Sequence, residues 1–148
     1  MKFLVVGLGS MGKRRIRCLL ALKYKNIAGF DLRKDRLVEV EKKYNLKTFG
    51  SFNSAIKFFK PDVLIISTSP RFHMKYAHAS YRYNLPCFIE ASVCNLNKIK
   101  ELQKKNSLKK LIIAPSCTMM FNDGIIKIEE IIKKKLIGEI NYINYHVG

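Results

Sequence analysis

The sequence predicts an α/β fold, a doubly wound parallel sheet with strand order 3-2-1-4-5-6, and three observations predict it. Short apolar runs alternate with longer segments of helical period along the chain, the pattern that yields parallel strands joined by crossover helices. Six such runs come before the long helical segment near the end, which is the strand count of a doubly wound sheet. The first run feeds directly into a glycine-rich turn that opens the first helical segment.

Residues 3–6 (Phe-Leu-Val-Val) read as a buried strand, and Ile16, Leu19 and Leu20 then share one face of a helix whose other faces carry Lys13, Arg14, Arg17 and Lys23. A second strand over 26–31 is followed by a helix with Leu37, Val40 and Tyr44 at three- and four-residue spacing. A weak strand at 47–49 and a short helix at 53–59 lead through Pro61 to 62–66, the clearest buried strand of the chain. Helix 72–83, strand 87–90, helix 96–105 and strand 111–114 complete the sheet. Ile125, Ile128, Ile131 and Ile132 line a further helix that Gly138 is expected to stop.

Residues 139–147 are expected to begin a new strand, with Ile140, Tyr142 and Val147 as apolar positions. A strand needs partners, so the expected organisation is a nucleotide-binding domain over 1–138 and, over 139–148, the start of a second, truncated α+β domain. The terminal strand would pair with that second domain or with another copy of the chain, which makes a homo-oligomer an expectation.

With 148 residues, 48% of them hydrophobic, the chain supports one sizeable core. Twenty-eight Lys and Arg against 11 acidic residues give a formal charge of +17, which attracts anions. The lysines are scattered, as in Lys104-Lys105, Lys109-Lys110 and Lys133-Lys134-Lys135, which suits solvated faces better than one nucleic-acid-binding stripe. Tyr76, Tyr81 and Tyr83 beside Lys75 and Arg82 sit at helical spacing that fits partial burial better than base stacking. Cys18, Cys87, Cys94 and Cys117 lack the spacing of a zinc site or a disulfide framework, and a reducing, cytoplasmic setting is expected. The first apolar run is too short for a signal peptide or a membrane span.

Gly7-Leu8-Gly9-Ser10-Met11-Gly12 matches G-x-G-x-x-G in the context that gives the motif meaning, after a strand and at the start of a helix. Gly7 would make the tight turn, Gly9 would let the backbone approach a pyrophosphate, and Gly12 would let helix pack closely on strand. Unpaired amides and the positive helix end complete an anion site. Asp31 ends the second strand about 20 residues further on, where a carboxylate accepts hydrogen bonds from an adenosine ribose. The alternative is a glycine turn that serves packing, with Asp31 capping the next helix. The charge of Asp31 favours NAD over a 2′-phosphorylated cofactor, while Arg33, Lys34 and Arg36 are close enough in sequence to accommodate NADP. The arrangement is that of a Rossmann fold, and Leu32, Arg33 and Arg36 join Asp31 as expected cofactor contacts.

The later segments resemble the glucose-fructose oxidoreductase/inositol dehydrogenase family, Gfo/Idh/MocA, over nearly the whole chain. Ser67-Thr68-Ser69-Pro70-Arg71-Phe72-His73 is similar to that family's loop after the fourth strand, in which Thr-Pro precedes a histidine that opens the next helix. The resemblance implies that Ser67, Thr68 and Ser69 flank the cofactor, with His73 either a contact or a helix-terminal residue. The family's fifth strand usually ends in Glu-Lys-Pro, whose lysine lies near the reacting carbon. Here Glu90-Ala91-Ser92 stands there, and alanine neither donates nor accepts a proton. Glu90 is expected to orient the nicotinamide ribose or to cap its strand, with Ala91 beside it at the cofactor. Pro115 to Phe121 resembles the family's segment beneath the nicotinamide, with Met120 where many members carry arginine. Cys117 has no base placed beside it and reads as a small packed thiol.

The resemblance implies an oxidoreductase that passes a hydride between a nicotinamide cofactor and a sugar-like or cyclitol-like hydroxyl or ketone, with the substrate held only with the help of the second domain. This chain alone is expected to bind cofactor without turnover. The competing reading is a non-catalytic NAD(P)-binding module, suggested by the lysine missing at 91.

Overall fold

The computed structural model describes residues 1–144 and 146, and the chain divides after Ser116 into two compact units. In the first unit six parallel strands form one sheet: β1 (Phe3–Val6), β2 (Ile27–Phe30), β3 (Lys47–Phe49), β4 (Val63–Ile66), β5 (Cys87–Ile89) and β6 (Ile113–Pro115). Their order is β3-β2-β1-β4-β5-β6, as the sequence predicts.

Each crossover is helical: α1 (Ser10–Ala21), α2 (Lys34–Tyr44), α3 (Phe52–Ser54), α4 (Pro70–Arg82) and α5 (Leu96–Lys109). The segment expected as a helix over 53–59 is α3 continued by a wider π turn, Ala55–Phe59. It ends at Lys60, which takes a left-handed φ of 52° because the residue before a proline, here Pro61, is excluded from continuing a helix. The sixth strand lies slightly later than the apolar run 111–114, because Ile112 is exposed and its carbonyl receives the Cys87 N–H that starts the pairing.

Both faces of the sheet are covered, which explains why its central strands are continuous apolar runs. Leu4, Val6, Leu64 and Ile66 point to one face, where Met74, Tyr76 and Ala77 of α4 and Leu102 of α5 meet them. Phe3, Val5 and Ile65 point to the other, against Ile16 and Leu19 of α1 and Val40 of α2. Leu4, Val5, Val6, Leu64 and Ile66 are all essentially sealed from solvent, and each such side chain contributes about 1.5–3 kcal/mol of burial.

Register brings the strand ends into line. Val6 pairs with Phe30 on one side and Ile66 on the other, and Ile66 pairs in turn with Ile89. The residues that follow, Gly7, Asp31, Ser67 and Glu90, therefore leave the sheet along one edge. The order reverses between β1 and β4, the switch point where open α/β sheets hold ligands.

The second unit contains a short 3-10 turn (Thr118–Phe121) and α6 (Asp123–Lys133), capped by Asn122, whose side-chain oxygen accepts from the Ile125 N–H at 3.2 Å. α6 ends before Gly138: Lys135 already takes a left-handed φ of 52°, and Gly138 follows with φ +71°. The strand expected over 139–147 is not formed in residues 139–144, which have no regular structure. A lone extended segment has no ladder partner for its amides and carbonyls, and Tyr142 is exposed. Tyr145, Val147 and Gly148, which that expectation also covers, lie outside the described residues. Among the described residues no helix is long and apolar enough to cross a membrane, and no group of three or more His, Cys, Asp or Glu side chains is placed to hold a metal ion.

Candidate functional site: a dinucleotide-sized cleft at the strand ends

The turn after β1 is built so that only glycine fits two of its positions. Gly7 has φ +93°, and a Cβ there would stand 2.8 Å from the Thr68 amide nitrogen. At Gly12, in the first turn of α1, a Cβ would stand 1.9 Å from the Gly7 carbonyl oxygen. Close packing of the helix start on the turn is thus enforced by backbone contact. Gly9 differs: the nearest protein group to a Cβ there is the Arg36 guanidinium, at 3.7 Å. Nothing in the fold excludes a side chain at Gly9, so its absence serves the open space beside it. Gly9 is also the N-cap of α1 and offers no side-chain acceptor, so the first amides of the helix, which have no acceptor within it, are left for another partner.

Leu8 links this loop to Asp31. Its side chain is sealed and fills the space left by Gly29 in β2, where a Cβ would lie 2.8 Å from Leu8 Cδ2. So held, the Leu8 N–H donates to Asp31 Oδ2 at 2.8 Å. The Arg33 N–H donates to Oδ1 at 3.0 Å, and Arg36 Nη1 donates to Oδ2 at 3.2 Å. Burial pushes the Asp31 carboxyl up, but the Arg33 and Leu8 amides and the Arg36 guanidinium outweigh it and hold its pKa below the ordinary value. The group is therefore a buried carboxylate at the cleft.

After β4, Ser67 and Thr68 carry hydroxyls that are buried and have no hydrogen-bond partner among the described residues. Their loop is anchored from behind by His73, whose Nε2 lies 2.8 Å from the Thr68 carbonyl oxygen. A carbonyl only accepts, so Nε2 donates. His73 is 1% exposed.

These segments enclose a cleft of about 630 Å³. Gly7, Gly9, Ser10 and Met11 line it from the glycine turn, Asp31, Leu32, Arg33 and Arg36 from the end of β2, and Ser67, Thr68 and Ser69 from the end of β4. The other expected site residues lie elsewhere. Leu8 and Gly12 sit behind the turn as packing residues, His73 sits behind the 67–69 loop, and Ala91 is exposed just past β5. Glu90 is buried and held by Arg15 of α1: Nε donates to Oε1 and Nη2 to Oε2, the latter at 2.9 Å. The Arg15 guanidinium also lies 4.9 Å from the centre of the Phe88 ring.

Sequence reasoning missed Arg15 and the contribution of α4. Arg71, Phe72, Lys75 and Tyr76 line the cleft, and the signal available was the spacing of Arg71 and Lys75, which places both cations on one face of a helix that starts at a strand end. Arg33, Arg36, Arg71 and Lys75 line the cleft, with Arg36 paired to Asp31 and Arg33 to Asp35, so Arg71 and Lys75 leave its lining net cationic, which suits a ligand with several negative charges.

The arrangement fits a nicotinamide dinucleotide: the gap at Gly9 and the free end of α1 suit a pyrophosphate, Asp31 suits a ribose hydroxyl, and the orphan hydroxyls of Ser67 and Thr68 offer hydrogen bonds beside the switch point.

Residues 1–115 match the family described as GFO_IDH_MocA, "Oxidoreductase family, NAD-binding Rossmann fold". No curated protein sequence matches. Among solved structures, a probable dehydrogenase from Thermotoga maritima is similar at 21% identity with a TM-score of 0.81, covering 93% of this chain and 42% of its own. The scyllo-inositol dehydrogenase from Lactobacillus casei with bound NAD(H) and scyllo-inositol is similar at 19% identity, TM-score 0.81, covering 95% and 43%. The WlbA dehydrogenase from Bordetella pertussis in complex with NADH and UDP-GlcNAcA is similar at 16% identity, TM-score 0.83, covering 95% and 44%. At these identities the likeness is one of fold, and this chain spans well under half the length of each.

Proposed function

Because the chain belongs to the Gfo/Idh/MocA oxidoreductase family, matching it over the NAD-binding Rossmann fold, we propose that it holds the NAD(H) of a dehydrogenase acting on a hydroxyl or ketone of a sugar-like or cyclitol-like substrate. The observation that carries this is the Leu8 N–H to Asp31 hydrogen bond, which ties the phosphate loop and the ribose carboxylate into one preformed site. The substrate class is supported by the ligands named with the similar structures, scyllo-inositol in one and UDP-GlcNAcA in another.

In this reading the residues divide the work of binding. The amides at the start of α1 meet the pyrophosphate where Gly9 leaves room for it. Asp31, kept ionised by its three donors, accepts from the adenosine ribose and favours NAD over its 2′-phosphorylated form. Leu32 and Phe72 supply apolar walls, and Ser67, Thr68 and Ser69 donate near the switch point. When bound, the cofactor supplies the hydride acceptor or donor. Ala91 offers no group for moving a proton, so the part assigned to this chain is binding and orientation.

Ala91 also favours a second reading, a dinucleotide-binding domain that does not turn over. The two separate in one assay: a longer protein carrying this domain is given NAD with a panel of sugars and cyclitols, and absorbance of the reduced cofactor is followed. Reduction with any member supports the dehydrogenase. Cofactor binding without reduction across the panel, unchanged in Ala91→Lys, supports the binding module.

A further inference from the structure

The cations and tyrosines at helical spacing along α4 line more than the dinucleotide cleft. Lys75 and Arg82 are seven residues apart, as are Tyr76 and Tyr83 at the helix end, so each pair recurs on one face after two turns. Together with the end of β3 and the start of α3 that face encloses a second cavity of about 430 Å³, a volume within the range of small-molecule sites.

Four rings form its apolar side. Phe30 of β2 stands edge-on to Phe52 and to Tyr76, with ring centres 5.6 and 5.9 Å apart. Phe52 packs in turn on Tyr76 at 5.2 Å and on Tyr83 at 6.3 Å. Phe30 and Tyr76 are buried, but Tyr83 is 40% exposed, so the cluster is left open on one side to a further ring.

The polar groups here lack partners. Neither Lys75 nor Arg82 forms an ion pair among the described residues, and no described carboxylate lines the cavity. Tyr76 is only 6% exposed, yet its hydroxyl has no hydrogen bond among the described residues, where a buried tyrosine hydroxyl ordinarily finds one. Burial, aided by the charge of Asp31, raises the Tyr76 pKa above its ordinary value, so at neutral pH the hydroxyl is a donor.

This cavity is not a part of the cleft. Phe30, Leu32, Lys75 and Tyr76 line both and form the boundary, whereas Phe52, Asn53, Ala79, Arg82 and Tyr83 line this cavity alone. The glycine turn, Asp31 and the 67–69 loop take no part in it.

We propose that this cavity is a second ligand site, which takes a small aromatic anion: a planar ring against Phe52 and Tyr83, with its anionic group held by Arg82. The aromatic faces select the ring, and the uncompensated cations select the charge. The site stands independently of the dinucleotide reading.

The test is titration of the isotopically labelled chain with phenyl phosphate, followed by amide chemical shifts. Inorganic phosphate and benzyl alcohol probe charge alone and ring alone, and thermal unfolding confirms that each variant is folded. Saturable shifts clustered at residues 50–53 and 75–83 are expected at millimolar phenyl phosphate, with each partial probe weaker by about tenfold or more. Arg82→Ala weakens phenyl phosphate by about tenfold, and Ala79→Phe, which fills the cavity from the helix face, abolishes its binding. Shifts centred on residues 9–11 and 67–69 overturn the inference, because the anion then enters the dinucleotide cleft. Inorganic phosphate binding as tightly as phenyl phosphate overturns it too, since charge alone would account for the binding. So does the absence of saturable shifts in the folded parent, or an affinity unchanged in both folded variants.

Discussion

Arg15 in the second turn of α1 and Glu90 just after β5 form a two-pronged guanidinium–carboxylate pair, joining the first helix to the far half of the sheet. Both Glu90 oxygens accept from Arg15, and the carboxylate is almost completely buried. Removing the two partners should therefore be unequal in effect. Arg15→Ala strands a buried charge and is expected to cost about 2 kcal/mol or more, short of the 3–5 kcal/mol of a fully buried pair because Arg15 keeps 26% of its side chain exposed. Glu90→Gln leaves an exposed-edge arginine that reaches water and should cost less. Denaturant unfolding of both variants decides it, and a larger loss in Glu90→Gln would contradict this assignment. Since Glu90 is committed to Arg15, Glu90→Gln should leave dinucleotide affinity nearly unchanged.

Asp31 gives a pH-dependent signature. Its pKa is lower in the native state than in the unfolded chain, so the native state binds the proton more weakly. Its stabilising effect is present above the unfolded value, about 3.9, and is lost as pH falls through the lower native value. Asp31→Asn is expected to cost about 1–3 kcal/mol at neutral pH, the worth of hydrogen bonds to a charged group, with the difference from the parent shrinking below about pH 4. A difference that stays constant into strong acid would contradict the hydrogen-bond arrangement. Thermal unfolding across pH measures it.

The glycines of the loop separate packing from binding. Gly12→Ala places a Cβ against the Gly7 carbonyl, a backbone contact that no rotamer relieves, and should cost about 3 kcal/mol or more. Gly9→Ala meets only ordinary contact with Arg36 and should leave stability nearly unchanged while weakening the cofactor. Equal stability of the two variants in thermal melts would contradict this division.

Most of this site is legible in the sequence because its chemistry lies in the backbone and in strand ends. Glycine spacing, the run of Val and Ile in β1 and β4, and the distance to Asp31 are local patterns, and parallel topology then brings Gly7, Asp31 and Ser67 to one edge. What sequence does not display is which side chain turns away. His73 opens α4 beside the cleft residues, yet it is turned inward to the Thr68 carbonyl. Glu90 follows its strand as Asp31 does, but its partner Arg15 is brought to it only by the packing of α1 on the sheet. Arg71 and Lys75 look like any solvated helical cations until the cleft forms beside them. Ile140 and Tyr142 alternate as in a strand, but residues 139–144 have no regular structure, because pairing, which alternation does not supply, is what makes a strand.

His73 serves as an anchor for the loop carrying Ser67 and Thr68. His73→Leu stays close to the volume but removes the donor to the Thr68 carbonyl, leaving a buried acceptor unpaired at a cost of about 1–3 kcal/mol. Amide exchange at 67–69 should quicken and dinucleotide affinity should fall. Unchanged exchange there would show that the anchor lies elsewhere.

Whether the cleft at the strand ends holds a dinucleotide is measured by calorimetric titration of NAD into the folded chain and into Gly9→Val. One saturable site per chain is expected in the parent, weakened about tenfold or more in the folded variant, where a branched side chain fills the pyrophosphate space. No heat from the folded parent at millimolar NAD, or equal affinity in the two proteins, would contradict it.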